Sequence, residues 1–172
     1  MTRVLSIRNR QKVRSIDTAL LRRLTRTLLT EDLDLQSYEL GLHLLTAPEM
    51  AVLNKTYLQH EGSTDVITFN HAEQTGTAAD GPLQPPGHLH GEIFVSVSDA
   101  IRQAAEFKTS WQSEIVRYVI HGLLHLIGYD DLEAAARRTM KRVENQLVKR
   151  MTAAFPVTRL GRPKNGKNGR KR

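Results

Sequence analysis

HGLLHLIGYDD, residues 121–131, places two histidines four positions apart in an apolar run, then Gly128, then an acid pair. Upstream the run continues as WQSEIVRYVI, so 111–127 reads as one mostly apolar helix, and an apolar helix with few charges is a buried one. Residues i and i+4 share a helix face one turn apart, so His121 and His125 can direct their imidazoles at one point. Gly128 tolerates the left-handed conformation that closes a helix. The chain can then double back and present Asp130 or Asp131; the spacing favours Asp131. Histidine inside an apolar helix is costly unless something satisfies its nitrogens. The plainer alternative is a pair of core-edge histidines with no ligand, and the glycine stop followed by an acid weighs against it. Three protein ligands and one open position make a catalytic zinc site, whose bound water ionises near neutral pH. The expectation is one Zn2+ per chain, held by Nε2 or Nδ1 of His121 and His125 and by a carboxylate oxygen of Asp131.

Working outward from this helix, the chain alternates strand and helix signals. RVLSIR (3–8) is a short strand, followed by a helix with Asp17 as N-cap, Ile16 and Leu21 as a hydrophobic staple, and Leu20, Leu24 and Leu28 at helical spacing. Tyr38, Leu40, Leu42 and Leu44 alternate with Glu39, Gly41 and His43, the pattern of a half-buried strand. Thr46 and Glu49 form a capping box for a helix that turns Met50, Leu53 and Tyr57 inward. TDVITFN (64–70) and HLHGEIFVSV (88–97) are two more strands, separated by a long Gly/Pro-rich loop. A helix capped by Ser98 or Asp99 follows, then the apolar helix. The last helix carries a stripe of Leu132, Ala136, Met140, Val143, Leu147 and Met151. The order β-α-β-α-β-β-α-α-α predicts an α+β domain: a small mixed four-stranded sheet with about five helices packed over it.

Composition narrows the class. The 172 residues suit one domain and a tail. No apolar run reaches the ~18–20 residues of a membrane span, and MTRVLSIRNRQKVRS lacks the continuous apolar core of a secretory signal. The chain has no cysteine, which excludes disulfides and thiolate ligands, so a cytoplasmic protein is expected and a metal needs His, Asp or Glu. Of 25 basic residues, seven lie in 157–172 with no acid, leaving 18 against 18 acids in the body. The expected division is therefore a hydrolase domain over 1–156 and a disordered basic tail over 157–172. The tail is either a solubility device or an arm attracted to nucleic-acid phosphates.

The spacing H-x-x-x-H-x-x-G-x-x-D resembles the metzincin peptidase motif H-E-x-x-H-x-x-G-x-x-H, but Gly122 stands where a peptidase has its general base. HGLLHLIGYDD is more similar to the H-G-x-L-H-L-x-G-Y-D-H signature of the YbeY family of metal-dependent endoribonucleases, ribosomal RNA maturation factors. LNKTYLQHEGSTDVITF resembles that family's L-N-x-x-Y-R-x-x-D-x-P-T-D-V-L-S-F, and HGEIFVSV its L-G-D-I-x-I-S strand. Glu133 and Glu144 fall within its C-terminal helix pattern, so the likeness spans roughly 38–148. The resemblance implies zinc on His121, His125 and, in place of the third histidine, Asp131. It also implies a single-stranded substrate among ribosomal RNA precursors, and the ribosome or its proteins as partners. Two departures stand out. Aspartate at 131 adds negative charge and makes the metal a weaker Lewis acid. Leu58 replaces an arginine that in the family handles RNA phosphate; Arg102, Arg117 or His60 are the candidates to compensate.

Further residues have two readings each. Glu114, seven before His121, is either a partner of a ligand imidazole or half of an ordinary salt bridge. His88 and His90 share a strand face, near the metal or merely flanking a loop. Thr64, Asp65 and Thr68 either line a groove for an RNA strand or cap the strand entry. Trp111 is read as a core anchor rather than a base-stacking platform. No catalytic side chain other than the metal ligands is indicated. Two functions from different classes follow: a zinc-dependent endoribonuclease, or a non-catalytic ribosome assembly factor with zinc as a structural pin.

Overall fold

The computed structural model describes residues 1–59, 62, 64–72 and 84–161. Strands β1 (Arg3–Asn9), β2 (Ser37–Leu45), β3 (Val66–Asn70) and β4 (His88–Ser96) form one sheet in the order β1-β2-β4-β3. β1, β2 and β4 run parallel and β3 pairs antiparallel with β4, so the sheet is mixed. The first parallel connection carries α1 (Thr18–Thr27), which continues through a π turn at Leu28–Asp32; parallel neighbours need such a crossover. Then come α2 (Ala47–Leu53), α3 (Val97–Phe107), α4 (Trp111–Leu126) and α5 (Ala134–Ala154). The α+β class, the four strands and the five helices are those expected. No helix among the described residues is long and apolar enough to cross a membrane.

Strand alternation sorts the sheet into two faces. Tyr38, Leu40, Leu42 and Leu44 of β2 share one face with Leu89, Ile93 and Val95 of β4, and all are buried in the main core with α1, α3 and α4. On the other face, Leu45 and Ile67 join Met50 of α2 in a smaller cluster, with Leu53, Phe69 and Phe94 at its edge. α4 lies at the centre of the main layer, against β3, β4, α3 and α5. Its approach to β4 depends on glycine: a Cβ at Gly122 would lie 2.9 Å from Ile93 Cγ2, and one at Gly91 would lie 3.0 Å from Leu126 Cδ2.

Local signals hold where the chemistry is local. Asp17 accepts from Leu20 N, and Thr46 and Glu49 form the reciprocal capping box. Other expectations need correction. Ser96, not Ser98 or Asp99, caps α3 by accepting from Asp99 N, since the strand ends one residue earlier than its hydropathy suggests. Tyr57 is 63% exposed rather than inward, because α2 widens into a π turn over Asn54–Leu58 and loses the helical phase. Leu132 is 81% exposed, since α5 begins only at Ala134. The first residues after the expected boundary at 156 are packed on the domain. A 3-10 turn, Val157–Gly161, buries Val157 and Leu160, and Leu160 O accepts from Asp17 N at 2.8 Å. Two apolar residues three apart suffice for this, and the basic composition of the segment conceals them. Residues 162–172, the rest of the expected tail, lie outside the described residues.

Candidate metal centre

His121 and His125 lie on the last two turns of α4, with one-third or less of each side chain exposed. The helix stops at Ile127, Gly128 adopts φ +106°, and the returning chain brings Asp131 to the pair. The left-handed value is why glycine serves at 128: a side chain there is strained whatever the space around it. Asp131 Oδ2 lies 3.9 Å from His121 Nε2 and 3.5 Å from His125 Nε2, and the two Nε2 atoms are 3.1 Å apart. Three donors so separated can all sit roughly 2 Å from one point, the bond length of zinc to nitrogen or oxygen. Among the described residues this is the one group of three such side chains close enough to hold a metal ion.

The ring orientations are fixed from outside. His121 Nδ1 lies 3.2 Å from Glu144 Oε1, and His125 Nδ1 lies 3.2 Å from the carbonyl oxygen of Tyr129. Both acceptors take an N–H, so both Nδ1 atoms carry the proton and both Nε2 lone pairs face Asp131. The donor set therefore fits a small divalent cation that takes nitrogen and oxygen.

Glu144, noted in the sequence only for its place in the last-helix pattern, has a role that sequence reasoning did not assign. It is 3% exposed on α5, and besides His121 it accepts from Arg117 Nη1 at 3.2 Å and Lys141 Nζ at 3.0 Å. Burial pushes its carboxyl up, but the hydrogen bonds from His121 and Lys141 outweigh burial and hold its pKa at about 2. The same contact with Glu144 raises the His121 pKa against the opposing effect of burial. The signal was present: Glu144 interrupts an apolar stripe between Met140 and Val148, where a solvated acid has no place. Among the described residues Glu114 takes neither expected role: its Oε1 accepts from Thr109 Oγ1 at 2.8 Å. Seven residues along a helix is roughly 10 Å, which is too far to reach the imidazole.

The remaining candidates divide cleanly. Asp65 Oδ1 accepts from Val66 N at 2.9 Å, the strand-entry cap, yet the residue also shares a cavity wall with His121 and Asp131. Leu58 and Thr68 line a second cavity with both histidines, so position 58 does face the centre. Arg117 lines the first cavity, whereas Arg102 pairs with Asp99 at 2.8 Å; His60 lies outside the described residues. His88 and His90 are exposed at the far side of the sheet, His88 against Ser37 and His90 3.8 Å from Glu39. Asp130 caps the next turn by accepting from Leu132 N and stands outside the group of three. Trp111 packs at the edge of the core. Gly122 points at Ile93 in the sheet, so an acid there would be buried in the core instead of facing the metal site.

The profile of the endoribonuclease YbeY family matches residues 6–152. The chain belongs to that family. The Endoribonuclease YbeY of Alkaliphilus metalliredigens is 32% identical over 151 residues, covering 86% of this chain and 94% of that one. The Endoribonuclease YbeY of Salinibacter ruber is 42% identical over 94 residues, 55% of this chain and 58% of that one. The solution structure of TM1509 from Thermotoga maritima superposes with a TM-score of 0.62 over 95% of this chain and 99% of that one; at 23% identity it speaks for the fold alone.

Proposed function

We propose that this chain is a zinc-dependent endoribonuclease that cuts single-stranded RNA during ribosomal RNA processing and ribosome maturation in the cytoplasm. The observation that carries this reading is the convergence of His121 Nε2, His125 Nε2 and Asp131 Oδ2, with both Nδ1 atoms held elsewhere. Family membership supplies the class of bond cleaved. When bound, the metal would polarise a phosphoryl oxygen and make its water a hydroxide source near neutral pH. The chain's own residues do the rest. Glu144 keeps His121 in the tautomer that leaves Nε2 open, and the Tyr129 carbonyl does so for His125. Asp131 brings negative charge among the ligands, which offsets some of the metal's acidity. The cavity with Leu58, Val66 and Thr68 gives a strand access to the two histidines.

Leu58 favours a second reading, a ribosome- or RNA-binding assembly factor with zinc as a pin between α4 and the 128–131 turn. One experiment separates the two. His121→Ala and wild type, purified in parallel, are given a single-stranded RNA. The enzymatic reading expects cleavage to vanish in the variant while RNA binding persists. Equal cleavage by both proteins leaves the assembly factor, with metal loss lowering only thermal stability.

A further inference from the structure

Two cavities share His121, and their walls differ in charge. One, about 290 Å³, is lined by Leu58, Val66, Ile67 and Thr68 beside the two histidines, with no carboxylate, lysine or arginine among the described residues of its wall. The other, about 180 Å³, adjoins His121 and Asp131 and is walled by Arg117, Arg137 and Lys141 as well as Asp65 and Glu144. In that second cavity the three carboxylates are already engaged. Glu144 is buried and receives His121, Arg117 and Lys141 together, more positive charge than one carboxylate neutralises. Asp131 faces the metal position. Asp65 caps the start of β3. Arg137, by contrast, donates to the backbone carbonyls of Asp131 at 3.1 Å and Leu132 at 3.3 Å, and among the described residues it forms no ion pair. Its charge therefore stands at the cavity wall without a counter-ion. A divalent cation on Asp131 would leave the described residues of this wall with two formal positive charges in excess.

We infer that this cavity is a subsite for a phosphate of the substrate strand, held by Arg137 and Lys141 with the more buried Arg117 behind them, while the cavity beside Leu58 receives a nucleobase. The inference rests on the endoribonuclease reading for its substrate and adds where the strand's charge is taken up. The side chains have the right chemistry for a phosphate, since a guanidinium offers it a planar fork and an ammonium a mobile point charge. The Arg137 guanidinium is already oriented by two carbonyls. Lys141 is 59% exposed, so its ammonium can turn from Glu144 to an incoming anion.

The test uses the zinc-loaded full chain and a fluorescently labelled single-stranded RNA oligonucleotide, with binding read by anisotropy between 50 and 200 mM salt and RNA integrity checked afterwards. Each lost phosphate contact lowers the slope of log affinity against log salt by about 0.7 on a single strand. Arg137→Ala and Lys141→Gln should each weaken binding roughly tenfold and lower that slope by one such step, with zinc content unchanged. Arg137→Lys should restore the slope, because a cation returns. Lys141→Gln matters because Lys141 touches neither a ligand nor the ligand-bearing turn, so a purely structural account of Arg137 does not extend to it. Unaltered slopes in both alanine and glutamine variants overturn the subsite. So does zinc loss in Arg137→Ala alongside an unaltered Lys141→Gln. Cleavage assays on the same proteins keep the two ideas apart. His121-dependent cleavage with unaltered slopes sinks the subsite and leaves the enzyme, whereas lowered slopes without any cleavage leave the subsite and sink the enzyme.

Discussion

Two groups of histidines and carboxylates invite comparison, and among the described residues one is arranged so that three side chains could hold a metal. At the end of α4 the Nδ1 atoms of His121 and His125 are tied to Glu144 and the Tyr129 carbonyl, so both Nε2 atoms converge on Asp131. On the opposite sheet face, His43 Nε2 and His71 Nε2 each lie 2.9 Å from a different oxygen of Glu92. There the nitrogens are satisfied by the carboxylate itself and flank it on either side. His43 also stacks on Phe94 with ring centroids 4.2 Å apart, which fixes its plane along the sheet. Both groups have two imidazole nitrogens within 4 Å of one carboxylate. What separates them is where the second nitrogen of each ring is held. A metal site is made by the partners that point the lone pairs at one spot, not by the number of ligating residues.

The sharpest break in this contrast comes from the acid of each group. Asp131→Ala should lose most of the bound metal and RNA cleavage, and Asp131→His should keep the metal, both read by elemental analysis and a cleavage assay. Metal retained by Asp131→Ala at the wild-type level would remove the third ligand from the assignment. The next largest effect belongs to a residue that touches no metal. Glu144→Gln should reduce metal affinity about 10- to 100-fold by loosening His121, measured by competition with a chelator. An affinity unchanged by this variant would mean that the tautomer is fixed some other way.

Leu58→Arg should raise the cleavage rate, by roughly tenfold, if a cation facing the histidines meets charge developing on the phosphate; one such donor is worth about two to three orders of magnitude elsewhere. A flat rate would place that role with the cations of the neighbouring cavity. The smallest effect lies on the sheet face. The hydrogen bond from His71 lowers the Glu92 pKa below its ordinary 4.5, against a smaller opposing effect of burial. A depressed acid stabilises the fold above its unfolded pKa, and the contribution is lost as pH falls through the folded value. Glu92→Gln should therefore cost only about 0.2–1 kcal/mol at neutral pH, the range of solvent-exposed pairs. Its denaturation curve should meet that of wild type well below pH 4.5. Metal content should not change.

Much of this was legible because it is local. The Thr46 and Glu49 capping box, the Asp17 cap, the alternation of β2 and the i, i+4 pair at 121 and 125 each lie within one turn or one strand. Gly128 carried enough conformational information to place Asp131, ten residues from the first ligand. Glu144 was not assigned a role because its contact with His121 spans 23 residues and depends on how α5 packs on α4. The sheet order was equally out of reach, since parallel pairing of β2 with β4 brackets a strand that comes between them in sequence. Tyr57 was misplaced because a π turn breaks the period on which helical reading depends. Leu160 was hidden inside a segment whose charge invites a reading of disorder.

The most direct test of the central claim sets the two groups side by side. Wild type, His121→Ala and His43→Ala are purified without added metal, and their transition-metal content is measured by elemental analysis. The orientation of lone pairs predicts close to one zinc per chain in wild type and in His43→Ala, and almost none in His121→Ala. Metal that survives in His121→Ala, or disappears in His43→Ala, contradicts it.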